Sequence, residues 1–276
     1  MKAILAFFMA VTALLQGVAA QIDVLVRPAA YHVISPDTSS LPAPVETPRA
    51  DTFIQLQDVR MHYRVYGSGK QPLLLIHGNG GSVRSLEEAA TYLANDYTVY
   101  LPESRCHGES SDPGVISYHL MAADLVQFIE ALSLEKPLIM GHSDGGIIAI
   151  TLAAEYPDVP GAIISCGANS NPQTFKPYFP LGVFFKNLFK KDKLNDMMLT
   201  EPDFTEDFLA QITCPAYIVC GQFDIMWLTD TRFIHQSIRG SDMAVVRFAN
   251  HSSYISQDGK QAYALAKDWF LKKGLG

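Results

Sequence analysis

Pro137-Leu138-Ile139-Met140-Gly141-His142-Ser143-Asp144-Gly145-Gly146 decides how the rest of the chain reads. Leu138 to Met140 form an uninterrupted apolar run, as a strand buried on both faces requires. Gly146 to Tyr156 is apolar at helical spacing and stops at Pro157, which cannot continue a helix. Between them lies G-x-S-x-G, the pattern of a sharp strand-to-helix turn whose glycines make room for an exposed, strained serine. The amino end of the helix then turns its positive dipole end toward the Ser143 hydroxyl.

Working outward, apolar strands and helical patterns alternate. Leu73 to Ile76 is a second continuous apolar strand, and Tyr97 to Leu101, Ala162 to Ser165, Ala216 to Val219 and Ala244 to Phe248 follow. Between them, Ser85 with Glu88 has the spacing of a capping box and predicts a helix through Leu93. Met121, Leu125, Phe128, Ile129 and Leu132 recur at helical spacing behind a Ser117 cap. Ala262, Leu265, Ala266 and Trp269 mark a closing helix. Upstream, Phe53 to Leu56 and His62 to Tyr66 alternate around a turn at Gln57-Asp58, a half-solvated hairpin. The pattern predicts an α/β fold, a mostly parallel sheet covered by helices on both faces. No internal repeat is present. Residues 168–212 hold no strand pattern and read as a short cap or lid over the carboxyl ends of the sheet, where ligands bind in open α/β sheets.

A serine nucleophile needs a base for its proton and a carboxylate to orient that base. Gly221-Gln222-Phe223-Asp224 ends one strand and Asn250-His251-Ser252 follows the next, so both loops share a rim with Ser143. The candidate triad is Ser143, His251 and Asp224. His142 and His235 are weaker bases, the first directed away from its neighbour Ser143 and the second inside a helical pattern. Asp203 and Asp207 are weaker acids because they precede the strand. Acyl transfer also develops negative charge on the carbonyl oxygen, which calls for two backbone donors. The residue after the nucleophile, Asp144, supplies one N–H. The glycine loop His77-Gly78-Asn79-Gly80-Gly81 after the Leu73–Ile76 strand supplies the other, assigned to Asn79.

On these residues the chain resembles the α/β-hydrolase superfamily, of the lipase, esterase and peptidase type with a serine nucleophile, over about residues 52–272. His77 to Gly80, Arg105 to Ser110, Gly141 to Gly146, Gly221 to Asp224 and His251 carry the resemblance. Glu103 and Cys106 depart from it, standing where family members usually show Asp and Gly. Ser143 argues against the dehalogenase and epoxide-hydrolase branches, which place Asp there. The resemblance implies an acyl-enzyme mechanism on a small-molecule acyl substrate, with a carboxylic ester as the leading class. An aminopeptidase-like or lactone-opening activity uses the same triad and stays open, as does a non-catalytic binding protein on the same scaffold. No phosphate loop, zinc spacing or dinucleotide fingerprint is present, and the mechanism calls for no metal or cofactor.

Composition narrows the partners. The 276 residues are 48% hydrophobic and 18% charged, which excludes a disordered chain or a disulfide-stapled module. With 21 basic against 28 acidic residues the net charge is −7, against a nucleic-acid partner. Lys2, the apolar run Ala3 to Leu15 and the small residues Val18-Ala19-Ala20 describe a signal peptide cleaved after Ala20. That run is too short for a stable membrane span. Export to a bacterial periplasm or beyond is the expectation. It fits the sequon Asn250-His251-Ser252, where a glycan would block the candidate base. Residues 21–50, with five prolines, read as an extended leader before a domain at 51–276. Cys106, Cys166, Cys214 and Cys220 permit a disulfide, with the pairing left open.

Two features bear on the substrate. Phe179, Phe184 and Phe185 lie in an aromatic segment from Phe175 to Phe189 followed by lysines, and as a lid this segment would line an acyl pocket. A helix packed on the sheet edge, or one lying on a membrane interface, fits the same residues. Asp144 is either an acid favoured by the helix dipole or a carboxylate facing the pocket to hold a cationic substrate group.

Overall fold

The computed structural model describes residues 15, 17–25, 31–189 and 191–275, without the side chains of 184 and 186–189. The apolar strands pair in one nine-stranded sheet in the order β1-β9-β8-β7-β6-β4-β5-β3-β2. In chain order these are β1 (Val33–Ile34), β2 (Ala50–Gln55), β3 (Arg60–Tyr66), β4 (Pro72–Ile76) and β5 (Thr98–Pro102). They continue with β6 (Leu138–His142), β7 (Ala162–Cys166), β8 (Ala216–Phe223) and β9 (Asp242–Asn250). All pairings are parallel except those of β3 with β2 and β5. The expected hairpin is therefore the antiparallel margin of a parallel sheet.

The two-residue period of a strand sends alternate side chains into two cores. Leu73, Leu75, Leu138, Met140 and Val219 face one core, shared with α2 (Glu87–Leu93) and α9 (Gly259–Lys272). Leu74, Ile76, Ile139, Ile163 and Ile218 face the other, against α3 (Tyr118–Ala131), α4 (Asp144–Glu155) and α8 (Leu228–Ser237). This double burial is why the runs are continuous rather than alternating. Ser117 caps α3 as its spacing predicts, accepting from the Leu120 N–H. Ser85 does not open α2. The capping box is one turn earlier, between Ser82 and Ser85 around a 3-10 turn (Val83–Ser85), because the chain must tighten before α2 begins.

The cap insertion holds α5 (Tyr178–Phe189), α6 (Lys193–Thr200) and α7 (Glu206–Leu209), with no strand of its own. Residues 21–50 correct the reading of an unpacked leader. A helix α1 covers 17–25, Val24 and Tyr31 are buried against Cys220, Leu228, Met243 and Val245, and β1 pairs with β9. The leader is extended from 35 to 49, yet Leu41 and Val45 still rest on the core. The rest of the expected signal peptide, residues 1–14 and 16, lies outside the described residues. The four cysteines are free thiols. Among the described residues no helix is long and apolar enough to cross a membrane.

Candidate active site

The nucleophile turn is built by close approach. A Cβ on Gly141 would lie 2.0 Å from the Gly145 carbonyl oxygen, and one on Gly145 would lie 2.0 Å from the Ile76 carbonyl oxygen. With no side chains there, β6 and α4 join over the single residue Ser143, whose φ is 56° and ψ −119°. A non-glycine residue holds that conformation only where the surrounding structure imposes it, and here it presents the hydroxyl. The Gly146 and Ile147 N–H groups donate to the Ser143 carbonyl at 2.8 and 3.1 Å, so the Asp144 N–H stands ahead of the helical ladder. The Gly78 loop runs directly against the turn: a Cβ on Gly78 would lie 3.0 Å from the Ser143 Cβ.

Three loops at strand carboxyl ends then converge. Ser143 Oγ is 3.0 Å from His251 Nε2, and His251 Nδ1 is 2.6 Å from Asp224 Oδ1. Asp224 is 3% exposed and is held from both sides: its Oδ2 accepts from the Gly221 N–H at 2.9 Å and its Oδ1 from the Ile225 N–H at 2.8 Å. Burial opposes the Asp224 charge, but His251 and these N–H groups outweigh it and hold the carboxyl below its ordinary value. Burial likewise opposes an imidazolium at His251, and the Asp224 charge and hydrogen bond outweigh it in the other direction. Such an arrangement can take the proton of a serine hydroxyl and return it to a leaving group.

The weaker candidates fall elsewhere. His142 borders the cavity beside His251, but its Nε2 is committed to the His251 carbonyl, to which it donates at 2.8 Å. Burial and the neighbouring His251 push its pKa down to about 4, so it stays neutral and braces the loop. His235, on α8, has its Nδ1 2.8 Å from the Ser241 hydroxyl beyond the helix. A brace that sequence reading missed is Lys176, whose ammonium donates to the Asp224 carbonyl at 2.6 Å. A second is His77, which donates from Nδ1 to the Gly78 carbonyl (2.8 Å) and accepts from the Ser104 N–H at Nε2 (3.1 Å). Its burial, with His107 beside it, pushes its pKa down to about 4.

A cavity of about 350 Å³ opens on Ser143 and His251. Its apolar wall is Phe179 and Val183 of α5, Met198 of α6, and Ile225. Phe179 thus lines the cavity from α5. Phe185 does not line the cavity and is 53% exposed, because it lies on the outer side of the same helix. The side chain of Phe184 lies outside the described residues. The Asp144 carboxylate does not line the cavity either: it is 3% exposed and accepts from Asn79 Nδ2 at 3.0 Å. Burial pushes its pKa up. Asn79 Nδ2 also donates to the Leu194 carbonyl at 3.1 Å, tying α6 to the glycine loop. Met198 gave a sequence signal only as one apolar position on an amphipathic α6.

The departures from the family pattern have a local account. Glu103 is buried, with Oε1 accepting from the Val83 N–H (3.0 Å) and Oε2 from the Glu109 N–H (2.5 Å) and 3.0 Å from His62 Nδ1. It fills the room that Gly108 leaves, since a Cβ there would lie 2.1 Å from the carboxylate. Cys106 adopts φ 66° and donates to Asp112 at 3.3 Å.

Comparison with known proteins agrees with this architecture. The chain is 37% identical over 83 residues to the esterase YbfF of Escherichia coli, covering 30% of this chain and 33% of that one. It is 26% identical over 235 residues to the human serine hydrolase BPHL, covering 73% and 80%. The esterase match thus spans about a third of that enzyme's length. A thermophilic esterase structure from Thermogutta terrifontis superposes with a TM-score of 0.65 at 21% identity, covering 82% of this chain and 98% of that one. The family model of the alpha/beta hydrolase fold matches residues 71–225, more than half of the chain, and the chain belongs to that family.

Proposed function

We propose that the protein is a serine hydrolase that cleaves carboxylic esters of small acyl groups. The observation that carries this reading is the unbroken path from Ser143 Oγ to His251 Nε2 and from His251 Nδ1 to Asp224 Oδ1, at 3.0 and 2.6 Å, opening on the cavity. His251 takes the hydroxyl proton as Ser143 attacks the ester carbonyl. The N–H groups of Asn79 and Asp144 receive the oxyanion, and His251 returns the proton to the departing alcohol. Water, deprotonated by His251, then attacks the acyl-enzyme, releasing the acid and restoring the Ser143 hydroxyl. The esterase and serine hydrolase relatives support the ester as substrate class. The amino-terminal twenty residues support export as the setting.

A fluorophosphonate probe tests this. It should label the protein at Ser143, and Ser143→Ala should abolish both labelling and ester turnover with the fold intact. Labelling that persists in Ser143→Ala would overturn the assignment.

A further inference from the structure

The cavity over Ser143 is lined by two sets of side chains that differ in chemistry and in origin. Phe179, Val183, Met198 and Ile225 come from the cap and from the loop after β8, and they belong to one apolar cluster. Ser252 and Ser256 come from the loop after β9, beside His251 itself.

That loop is a braced turn. Asn250 Oδ1 accepts from the Ser252 and Ser253 N–H groups at 2.9 and 3.0 Å. The Ser252 carbonyl then accepts from the N–H groups of Ser256 and Gln257 at 3.1 and 3.0 Å. Four residues apart and joined across one turn, Ser252 and Ser256 lie on the same side of it. The far end is anchored on α2, where the Gly259 N–H donates to Glu88 Oε2 at 3.1 Å. Neither serine hydroxyl is used up by this bracing. Among the described residues the Ser252 hydroxyl has no hydrogen-bond partner. The Ser256 hydroxyl donates only to the Ser252 carbonyl, at 3.4 Å, which is long for a hydrogen bond.

The reaction decides which part of an ester meets these hydroxyls. His251 returns its proton from Nε2 to the departing oxygen, so that oxygen must come within hydrogen-bond reach of His251. The alcohol part therefore lies along the His251 loop, which leaves the apolar set to the acyl chain. Charge narrows the alcohol further. Among the described residues the cavity lining holds no Lys, Arg, Asp or Glu, and His142 stays neutral. A charged substrate group would enter without a counter-charge, at a large desolvation cost. Neutral hydroxyls can instead exchange hydrogen bonds with serines, which both donate and accept.

We propose that the substrate is an ester of an uncharged polyol, such as a glyceryl monoester, with Ser252 and Ser256 selecting the alcohol. This inference rests on the ester reading of the Ser143 site and narrows it to one class of alcohol.

The test compares glyceryl 1-monohexanoate with 2-methylbutyl hexanoate, which carries methyl groups where the glyceryl ester carries hydroxyls. The parent should favour the glyceryl ester in kcat/KM by about tenfold or more. Ser252→Ala combined with Ser256→Ala should erase most of that preference, and each single variant part of it. The turn itself is held by Asn250 and by main-chain bonds, so the alanines leave it in place. A preference that the double variant keeps, or a parent that turns over both esters equally, would overturn the polyol assignment and leave the ester reading standing. A parent that hydrolyses neither ester would overturn the ester reading, and this inference with it.

Discussion

Asn79 and Asp144, 65 residues apart, are joined side chain to side chain, Nδ2 donating to Oδ2 at 3.0 Å. These are the residues whose N–H groups we assign to the oxyanion, so the two donors are cross-linked by their own side chains. The second Asn79 bond, to the Leu194 carbonyl, extends the link to the cap.

Asn79→Ala keeps the backbone donor and removes both side-chain bonds. The glycine loop loses its lock, and kcat should fall by about tenfold or more while KM changes far less. The buried Asp144 carboxylate also loses its amide donor, which costs about 1–3 kcal/mol of stability. Steady-state kinetics and urea unfolding check the two effects separately. A parental kcat would show that the loop holds without the cross-link.

The acid limb of the pH profile follows from His251. As a base it acts only when neutral, and Asp224 raises its pKa above the ordinary value despite burial. Thus kcat/KM should rise with pH through a midpoint above about 6.5. Asp224→Asn removes what raises the pKa and leaves the burial that lowers it. The midpoint should then move to lower pH, and the plateau should fall by about 10⁴. An unmoved midpoint would place the titration on another group.

Arg105 and Asp124 form a buried two-pronged pair, Nε to Oδ2 and Nη2 to Oδ1, both at 2.7 Å. Asp124→Ala should cost about 3–5 kcal/mol, because it leaves a buried guanidinium without its partner. Arg105→Met combined with Asp124→Leu should recover most of that loss. Denaturant midpoints of the single and double variants decide it, and a double variant as unstable as the single one would refute the account.

Val183 is part of the cavity's apolar wall. Val183→Phe shortens the space for an acyl chain, so kcat/KM for a hexanoate ester should fall by about tenfold or more relative to acetate. A chain-length series measures this. An equal loss on both esters would mean that the acyl group lies elsewhere.

Legibility in the sequence followed the range of the interactions. The runs Leu73–Ile76, Leu138–Met140 and Ala162–Ser165 were readable because double burial writes itself as unbroken apolar residues. The Ser143 turn was readable because its glycines are adjacent in the chain. Ser85 was misread as a cap because Ser82, with the same chemistry, lies one turn earlier. Val33-Ile34 and Val24 were illegible: two or three residues carry no period, and only β9 and α8 give them a place. The burial of Asp144 was equally hidden, since its partner Asn79 arrives from another loop and the cap closes over both.

The pairing of Val33 and Ile34 with Val245 and Val246 has one more consequence. β9 runs for nine residues, and β1 is the neighbour on its outer side. Bare strand edges recruit other chains. The short β1 therefore works as a guard strip, and it sets a limit on how far the amino terminus can be trimmed. Processing at Ala20 leaves the guard in place. A cut beyond Ile34 would leave the cavity residues untouched while turning the sheet margin into a template for self-association.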